Sequence, residues 1–294
     1  MKFGKAMRLF KAPYKKIEIK PIDTSVAIDF DKIRRSPVLF CDHRSGSNMF
    51  KQNLAKMSEL DSTFEVLDPD PVLGRERGLM NFHQFLQAPS FPGPVELGLN
   101  GERVALEFMS QFVSQFNEPT ILDLKYTHSH VFGVSAPFGH PIVLQALANC
   151  GCKFIHLVRR NFVKQAISQL VAAKTMQFQS LRQNRPESEN GPNFWLDPHE
   201  VIRLASAKHE IVEHSKKMLK DLRVAYFRVT YEELTGDSGL DLHKRALSFV
   251  GQFSDVEQLP TVKAKRQLSA NLVYNLEEIM DLVHKEHSSL VHGI

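Results

Sequence analysis

Cysteines, long apolar runs and excess charge are all scarce in this sequence, and each scarcity excludes a class of protein. Three cysteines among 294 residues suit a reducing compartment, and Cys150 and Cys152 lack the CxxC spacing of a redox or zinc pair. No apolar run approaches the roughly 20 residues that span a bilayer, and the N-terminus lacks the apolar core of a signal peptide. The formal net charge of +4 does not by itself indicate nucleic-acid binding. We therefore expect a cytoplasmic protein with no nucleic-acid partner.

What the sequence does contain is typical of a globular α/β protein. Hydrophobic residues make up 43% of the chain and charged residues 24%, which are ordinary values. Predicted strands and helices alternate, which favours a three-layer αβα fold with a central parallel sheet and right-handed crossovers. Because we find no internal repeat and no clear linker, we expect residues 36–294 to form a single domain.

Residues 1–35 are predicted to form a basic N-terminal arm. Seven Lys or Arg residues but only one acid, Glu18, lie within the first 20 positions. Apolar residues recur among them at helical spacing, so weak contact with an anionic membrane surface is one interpretation. The interpretation that we favour is a solvated arm, because Pro13 limits any helix in this segment.

The first functional motif lies in residues 37–50. Val38–Cys41 is a short apolar run that predicts a buried strand, and residues 49–57 have the periodicity of a helix. A strand that enters a helix through a polar turn directs backbone N–H groups and the positive helix end at one spot, which is an anion site. The turn supplies the candidate ligands Arg44, Ser45, Gly46, Ser47 and Asn48.

A second motif of the same construction follows further along the chain. Residues 153–160 predict a strand and residues 161–174 a helix, with Arg159 and Arg160 at the junction and Ser168 two turns into the helix. Carboxyl ends of parallel strands meet at one sheet edge, so we expect both anion sites there. A ligand with phosphates at two ends would fit this arrangement.

Two familiar nucleotide motifs are missing from the first turn. It has one glycine and no Lys immediately after it, so it lacks both the Walker A pattern and the dinucleotide G-x-G-x-x-G pattern. We interpret the turn as P-loop-like in placement but not in residues.

The candidate general bases lie on two other segments. Glu65 follows Phe64 in a strand-like segment, where apolar neighbours could raise the carboxyl pKa and make it a base. The alternative is that Glu65 simply lies on the solvent-exposed face of a strand. Lys125 ends a predicted strand, and His128 and His130 follow it. The two histidines could be a metal pair, but no third ligand is evident, so we expect no metal.

Four segments, in order along the chain, resemble motifs of the sulfotransferases that use 3′-phosphoadenosine 5′-phosphosulfate (PAPS). Residues 43–48 resemble the 5′-phosphosulfate loop, and residues 158–161 with Ser168 resemble the 3′-phosphate motif. Residues 229–234 resemble the Tyr-Glu-Asp-Leu segment, and residues 247–251 the Leu-x-Phe-Leu-Gly segment. The variant most resembles bacterial carbohydrate sulfotransferases, such as the trehalose and nodulation-factor enzymes.

The chain also departs from this family. Phe162 stands where many members have Pro, and Asn48 where Thr is usual. The Gly-rich C-terminal nucleotide loop of the cytosolic animal enzymes is missing, and the candidate substitutes are Lys263, Lys265 and Arg266.

The resemblance implies a P-loop NTPase-like sulfotransferase fold and transfer of a sulfuryl group from PAPS to a hydroxyl of a carbohydrate or glycolipid, leaving adenosine 3′,5′-bisphosphate (PAP). It places Arg44 and the following loop on the phosphosulfate and Arg160 with Ser168 on the 3′-phosphate. Because a sulfuryl group carries less charge than a phosphoryl group, we expect its transfer to need no metal. Lys125 would assist the leaving oxygen, with Glu65 the first candidate base and His128 the second. An ATP-dependent small-molecule kinase on a degenerate P-loop and a non-catalytic nucleotide-binding module remain the alternatives.

Overall fold

A five-stranded parallel sheet organises the chain. The computed structural model describes residues 27–68, 80, 82–87, 93–135, 139–175, 194–259 and 273–292. The sheet contains β1 Val38–Cys41, β2 Asp61–Glu65, β3 Thr120–Lys125, β6 Phe154–Val158 and β7 Tyr226–Thr230, in the order β2-β3-β1-β6-β7. All of its neighbouring strands pair in parallel. Two short strands, β4 Val134–Ser135 and β5 His140–Pro141, form a separate antiparallel pair.

The described helices follow the alternation that the sequence predicts. They are α1 Phe30–Arg35, α2 Ser47–Met57, α3 Phe82–Leu86, α4 Gly93–Val113, α5 Ile142–Asn149, α6 Phe162–Thr175, α7 Pro198–Asp221, α8 Tyr231–Thr235, α9 Gly239–Val250, α10 Leu276–Glu286 and α11 Ser289–His292. A 3₁₀ helix, Tyr126–Phe132, follows β3 directly. No helix in the described ranges is both long and apolar enough to cross a bilayer.

Both faces of the sheet are covered, which gives the three layers. Val38 and Phe40 of β1 belong to the larger apolar cluster, with residues of α4, α5, α6 and α7. Leu39 and Cys41, the alternate residues of the same strand, belong to a second cluster with α2 and α9. Successive side chains of a strand point to opposite faces, so a strand buried on both faces must be apolar throughout, as β1 is. The predicted α/β fold with a central parallel sheet is confirmed.

The strand order places the chemistry at one edge. β1 lies between β3 and β6, so the carboxyl ends of these three strands are neighbours. The loop to α2, the 3₁₀ helix and the start of α6 leave from those three ends. From β1 the chain builds the sheet first on one side, with β2 and β3, and then on the other side, with β6 and β7. In open α/β sheets, ligands bind at the point where the strand order reverses in this way.

Some of the residues singled out in the sequence lie outside the part of the chain that the structure describes. Residues 1–26 of the basic arm, and Lys263, Lys265 and Arg266, lie outside the described residues. Residues 30–35 of the arm form α1, which packs against α4 and buries Ile33 completely.

Candidate active site

The turn after β1 has a left-handed backbone at two positions. Arg44 has φ 62° and Gly46, the N-cap of α2, has φ 92°. A Cβ at Gly46 would lie 2.5 Å from Cδ2 of Tyr231, so that ring occupies the space that any other side chain would need. Glycine is therefore required at position 46 for two reasons, the positive φ of the backbone and the close approach of Tyr231. Because Gly46 has no side chain to cap α2, the first amides of this helix remain suited to an anion.

The two predicted anion sites meet at Arg44. Its Nε donates a hydrogen bond to Ser168 Oγ at 3.0 Å. Arg159 donates from Nη1 to the Arg44 carbonyl oxygen at 3.2 Å, and its guanidinium lies 4.7 Å from the centre of the Tyr231 ring. Burial lowers the pKa of both Arg44 and Arg159, but arginine stays charged in proteins. Two positive charges from different strand ends are therefore held side by side.

The start of α6 already holds a carboxylate. The backbone N–H groups of Arg160 and Asn161 donate to Oε2 and Oε1 of Glu232 at 3.0 and 3.1 Å, and Arg160 Nε lies 3.9 Å from Oε2. The sequence predicts an anion site at this junction, and the structure places there the carboxylate of Glu232, a residue to which the resemblance gives no role. Residues 231–235 form α8 directly after β7, and the pairing of β7 with β6 brings Glu232 to these amides.

A buried ion cluster lies beneath the turn. Asp123 of β3 accepts hydrogen bonds from Lys125 Nζ and Lys51 Nζ, each at 2.6 Å, and the three side chains are at most 4% exposed. Lys125 Nζ also donates to Ser47 Oγ at 2.9 Å. Burial raises the pKa of Asp123, but the two ammonium groups outweigh it and hold this pKa well below its usual range. Burial opposes the charge on Lys125, yet Asp123 raises its pKa further, so both groups are charged.

Sequence reasoning predicted Lys125 but missed Asp123 and Lys51. Asp123 interrupts the otherwise apolar run of β3, and Lys51 lies one turn after Ser47 in α2. A charged residue in a strand covered on both faces is a signal that a partner is buried with it.

Glu65 faces three nitrogen atoms at the end of β2. Its Oε1 lies 3.6 Å from His43 Nδ1 and 3.7 Å from Lys125 Nζ, and its Oε2 lies 3.9 Å from His128 Nδ1. Burial raises the pKa of Glu65, but the nearby His43 and the charge of Lys125 lower it more, so the net shift is downward. The expectation of a raised Glu65 pKa was wrong, because the sequence could not show which cations surround the carboxylate.

His128 has the opposite electrostatic character. Burial, together with the neighbouring His43, lowers the pKa of His128. At neutral pH Glu65 is therefore a carboxylate and His128 an uncharged imidazole, which can accept a proton. The rings of His43 and His128 meet edge to face at a centroid distance of 5.1 Å.

Of the two histidines considered as a metal pair, only His128 belongs to a group of described residues that could hold an ion. His130 is exposed, and the neighbouring charge that acts on it is His214. His128 instead lies with His43 and Glu65, and one ligand atom from each lies within 4.8 Å of the others. Three elements supply this group: the 3₁₀ helix carries His128, β2 carries Glu65, and the turn after β1 carries His43, which sequence spacing could not show.

A second buried ion pair holds the start of the turn after β1. Lys208 of α7 donates to Asp42 Oδ2 at 2.6 Å, and both side chains are about 5% exposed. Gln165 of α6 donates to the same oxygen at 3.0 Å and to the His43 carbonyl oxygen at 2.7 Å. The turn is therefore held by two helices that lie more than 120 residues away in sequence.

No protein-family model matches this sequence, and no curated protein is similar enough to count as a match. The function therefore rests on the residues of the site and on the motifs that resemble the sulfotransferases.

Proposed function

We propose that this chain is a PAPS-dependent sulfotransferase with the P-loop NTPase-like sulfotransferase fold, acting on a hydroxyl of a carbohydrate or glycolipid. The observation that carries the proposal is the hydrogen bond between Arg44 and Ser168. It joins the two segments whose sequences resemble the 5′-phosphosulfate loop and the 3′-phosphate motif. A donor with charged groups at two ends would need those segments side by side.

In this proposal the β1 turn holds the 5′-phosphosulfate. The amides of residues 45–48 lie at the N-terminus of α2, where the helix dipole favours an anion. Arg44 and Arg159 add charge beside them, and the resemblance assigns Arg160 and Ser168 to the 3′-phosphate. The Ser168 hydroxyl accepts from Arg44, so its own proton is available to a phosphate oxygen.

Lys125 is best suited to act through Ser47. Its ammonium group is buried and donates to Ser47 Oγ, so the hydroxyl proton of Ser47 can point to the leaving oxygen. During transfer the acceptor oxygen forms a bond to sulfur while the bond from sulfur to the 5′-phosphate oxygen breaks, and that oxygen keeps the electron pair. A fixed positive charge behind the donated hydrogen bond stabilises the charge that develops there.

His128 is the preferred base once the surroundings are known. The sequence favoured Glu65, but a carboxylate with a lowered pKa is a weak proton acceptor. His128 is uncharged at neutral pH, and Glu65 lies 3.9 Å from it, where the carboxylate stabilises the imidazolium that forms when the acceptor proton is taken. Glu65 then has a positioning and charge-balancing role.

The test is isothermal titration calorimetry with PAP beside ATP–Mg²⁺. We expect PAP to bind and ATP–Mg²⁺ not to bind. Arg44→Ala removes a charged hydrogen-bond partner worth about 1.5–3 kcal/mol, which weakens PAP binding roughly 10- to 150-fold. The matched control is Arg103→Ala on α4, an exposed arginine paired with Glu107, which should leave PAP binding unchanged.

Other outcomes would distinguish the alternatives. Binding of ATP–Mg²⁺ without PAP would refute the proposal in favour of the kinase. PAP binding without transfer of radiolabelled sulfate from PAPS to any carbohydrate or glycolipid in a panel would favour the non-catalytic module.

We also propose a cytoplasmic location. Cys41, Cys150 and Cys152 are all free thiols, which supports a reducing compartment. Weak contact of the basic arm with a membrane surface stays a proposal based on its sequence alone.

A further inference from the structure

The residues around the candidate base have the composition of a transition-metal site. Two imidazoles and one carboxylate meet at the sheet edge, with His43 Nδ1 3.6 Å and His128 Nδ1 3.9 Å from different oxygens of Glu65. Bonds from Zn²⁺ to such atoms are about 2.0–2.2 Å, so tetrahedral ligands of one ion lie about 3.4 Å apart. One ligand atom from each of the three residues lies within 4.8 Å of the others, so changes in separation of at most about 1.4 Å would bring them to that spacing.

Two of the atoms in this group are buried without a hydrogen-bond partner among the described residues. They are Glu65 Oε2 and His128 Nδ1. Their separation of 3.9 Å is too long for a direct hydrogen bond. Leaving buried polar atoms unsatisfied is unfavourable, so a group that binds both at once would remove a penalty. A cation bound by both atoms would satisfy them together.

The two ring nitrogens of His43 face different partners, as in a metal-binding histidine. Its Nε2 lies 3.4 Å from Thr127 Oγ1, while its Nδ1 faces Glu65. Metal-binding histidines commonly use their second ring nitrogen in this way, because an outer partner fixes the ring and the tautomer.

We propose that His43, Glu65 and His128 form a binding site for a divalent transition-metal ion such as Zn²⁺. Imidazole ligands favour Zn²⁺ over Mg²⁺ and Ca²⁺, which prefer oxygen. Three protein ligands leave a coordination position open, so the affinity is expected to be lower than that of a closed four-ligand site.

The charge of Lys125 also limits the affinity. Its Nζ lies 3.7 Å from Glu65 Oε1 and repels a cation, although Asp123 at 2.6 Å offsets much of that charge. The site itself does not depend on the proposed function. Its consequence does, because an ion bound to His128 competes with proton transfer to that residue, and Zn²⁺ would then inhibit sulfuryl transfer.

The test uses the full chain, stripped with a chelator and titrated with Co²⁺ while its visible absorption is followed, then with Zn²⁺ to displace the cobalt. His43→Gln, Glu65→Gln and His128→Gln are compared with His130→Gln, a control at an exposed histidine two residues after His128. Thermal melting identifies the variants that fold. We expect one Co²⁺ per chain and at least about tenfold weaker binding in each of the three variants, because even outer partners of a metal site are worth 10- to 100-fold. His130→Gln should bind like the unmodified chain.

Two results would overturn the proposal. One is the absence of Co²⁺ and Zn²⁺ uptake by the folded chain. The other is uptake that persists in the three variants or that His130→Gln removes. No nucleotide is present in this assay, so its failure is distinguishable from a failure of the calorimetry with PAP.

Discussion

Replacing Asp123 by Asn should destabilise the protein more than any comparable surface change. Its carboxylate neutralises two buried ammonium groups, those of Lys51 and Lys125, each 2.6 Å away. Removing one partner of a buried ion pair typically costs about 3–5 kcal/mol. If a lysine left without its partner loses its proton at pH 7, the free-energy cost is up to about 4.6 kcal/mol, because its ordinary pKa is near 10.4. This upper limit agrees with the range for a broken ion pair. We expect a loss of roughly 3–5 kcal/mol.

Urea denaturation followed by circular dichroism measures this loss. The matched control is Asp241→Asn on α9, because that carboxylate is 70% exposed and 3.9 Å from Arg245; it should change the free energy of unfolding by less than about 1 kcal/mol. A similarly small loss for Asp123→Asn would refute the assignment of a charged, buried cluster.

A triple substitution separates stability from activity. Replacing Lys51 and Lys125 by Met and Asp123 by Leu removes all three charges together, and such replacements are often neutral or stabilising. The triple variant should therefore be more stable than Asp123→Asn, yet it should lack transfer activity because the charge behind Ser47 is gone. Activity at the level of the unmodified chain would remove Lys125 from the mechanism.

The same cluster predicts an acid limit to stability. The folded pKa of Asp123 lies below its unfolded value, so its contribution is present above the unfolded pKa of about 3.9 and is lost as pH falls through the folded pKa. We expect the stability of the unmodified chain to fall below about pH 4 more steeply than that of the triple variant. Equal slopes in urea titrations at several pH values would contradict this.

Three further predictions concern the turn, α6 and the base. Gly46→Ala should destabilise the protein more than Gly139→Ala in denaturant titrations, because both glycines have positive φ but only Gly46 has a ring within 2.5 Å of the added Cβ; equal losses would mean that the ring moves freely. Glu232→Ala should lower the free energy of unfolding by about 1–3 kcal/mol, because the amides of Arg160 and Asn161 lose their acceptor. The control Glu257→Ala, at an exposed residue, should leave it unchanged, and similar losses in the two variants would contradict a stabilising role for Glu232 at the start of α6. The kcat of transfer should rise with pH through a pKa below 6.5, the ordinary value for His128, and His128→Ala should remove this limb; an unchanged profile would exclude His128 as the base.

Local sequence signals were sufficient for the elements that hold the site. The apolar run of β1, the polar turn and the periodicity of α2 all lie within 20 residues, and the strand and helix form where these signals predict them. Asp197 caps α7 and Pro198 begins it, as their residue types predict. Such features depend on neighbours in sequence, which the sequence displays directly.

The contacts that tune the site depend on residues distant in sequence. Glu232 reaches amides 71 and 72 positions earlier, and Lys51 meets Asp123 across 72 positions. The pKa of Glu65 depends on His43 and Lys125, which come from two other elements. A single sequence contains no register between such segments, so residue types could suggest charge but not its partner.

The position of Tyr231 also determines when the site can form during synthesis. Its ring lies against Gly46 and beneath the Arg159 guanidinium, yet it is made 185 residues after Gly46 (231 − 46). At ribosomal rates of about 5–20 residues per second, that interval is roughly 10–40 seconds. Throughout it the nascent chain already contains the turn after β1 but lacks the ring that packs against Gly46, so the anion affinity that we propose for this turn should emerge late, when β7 and α8 join the sheet.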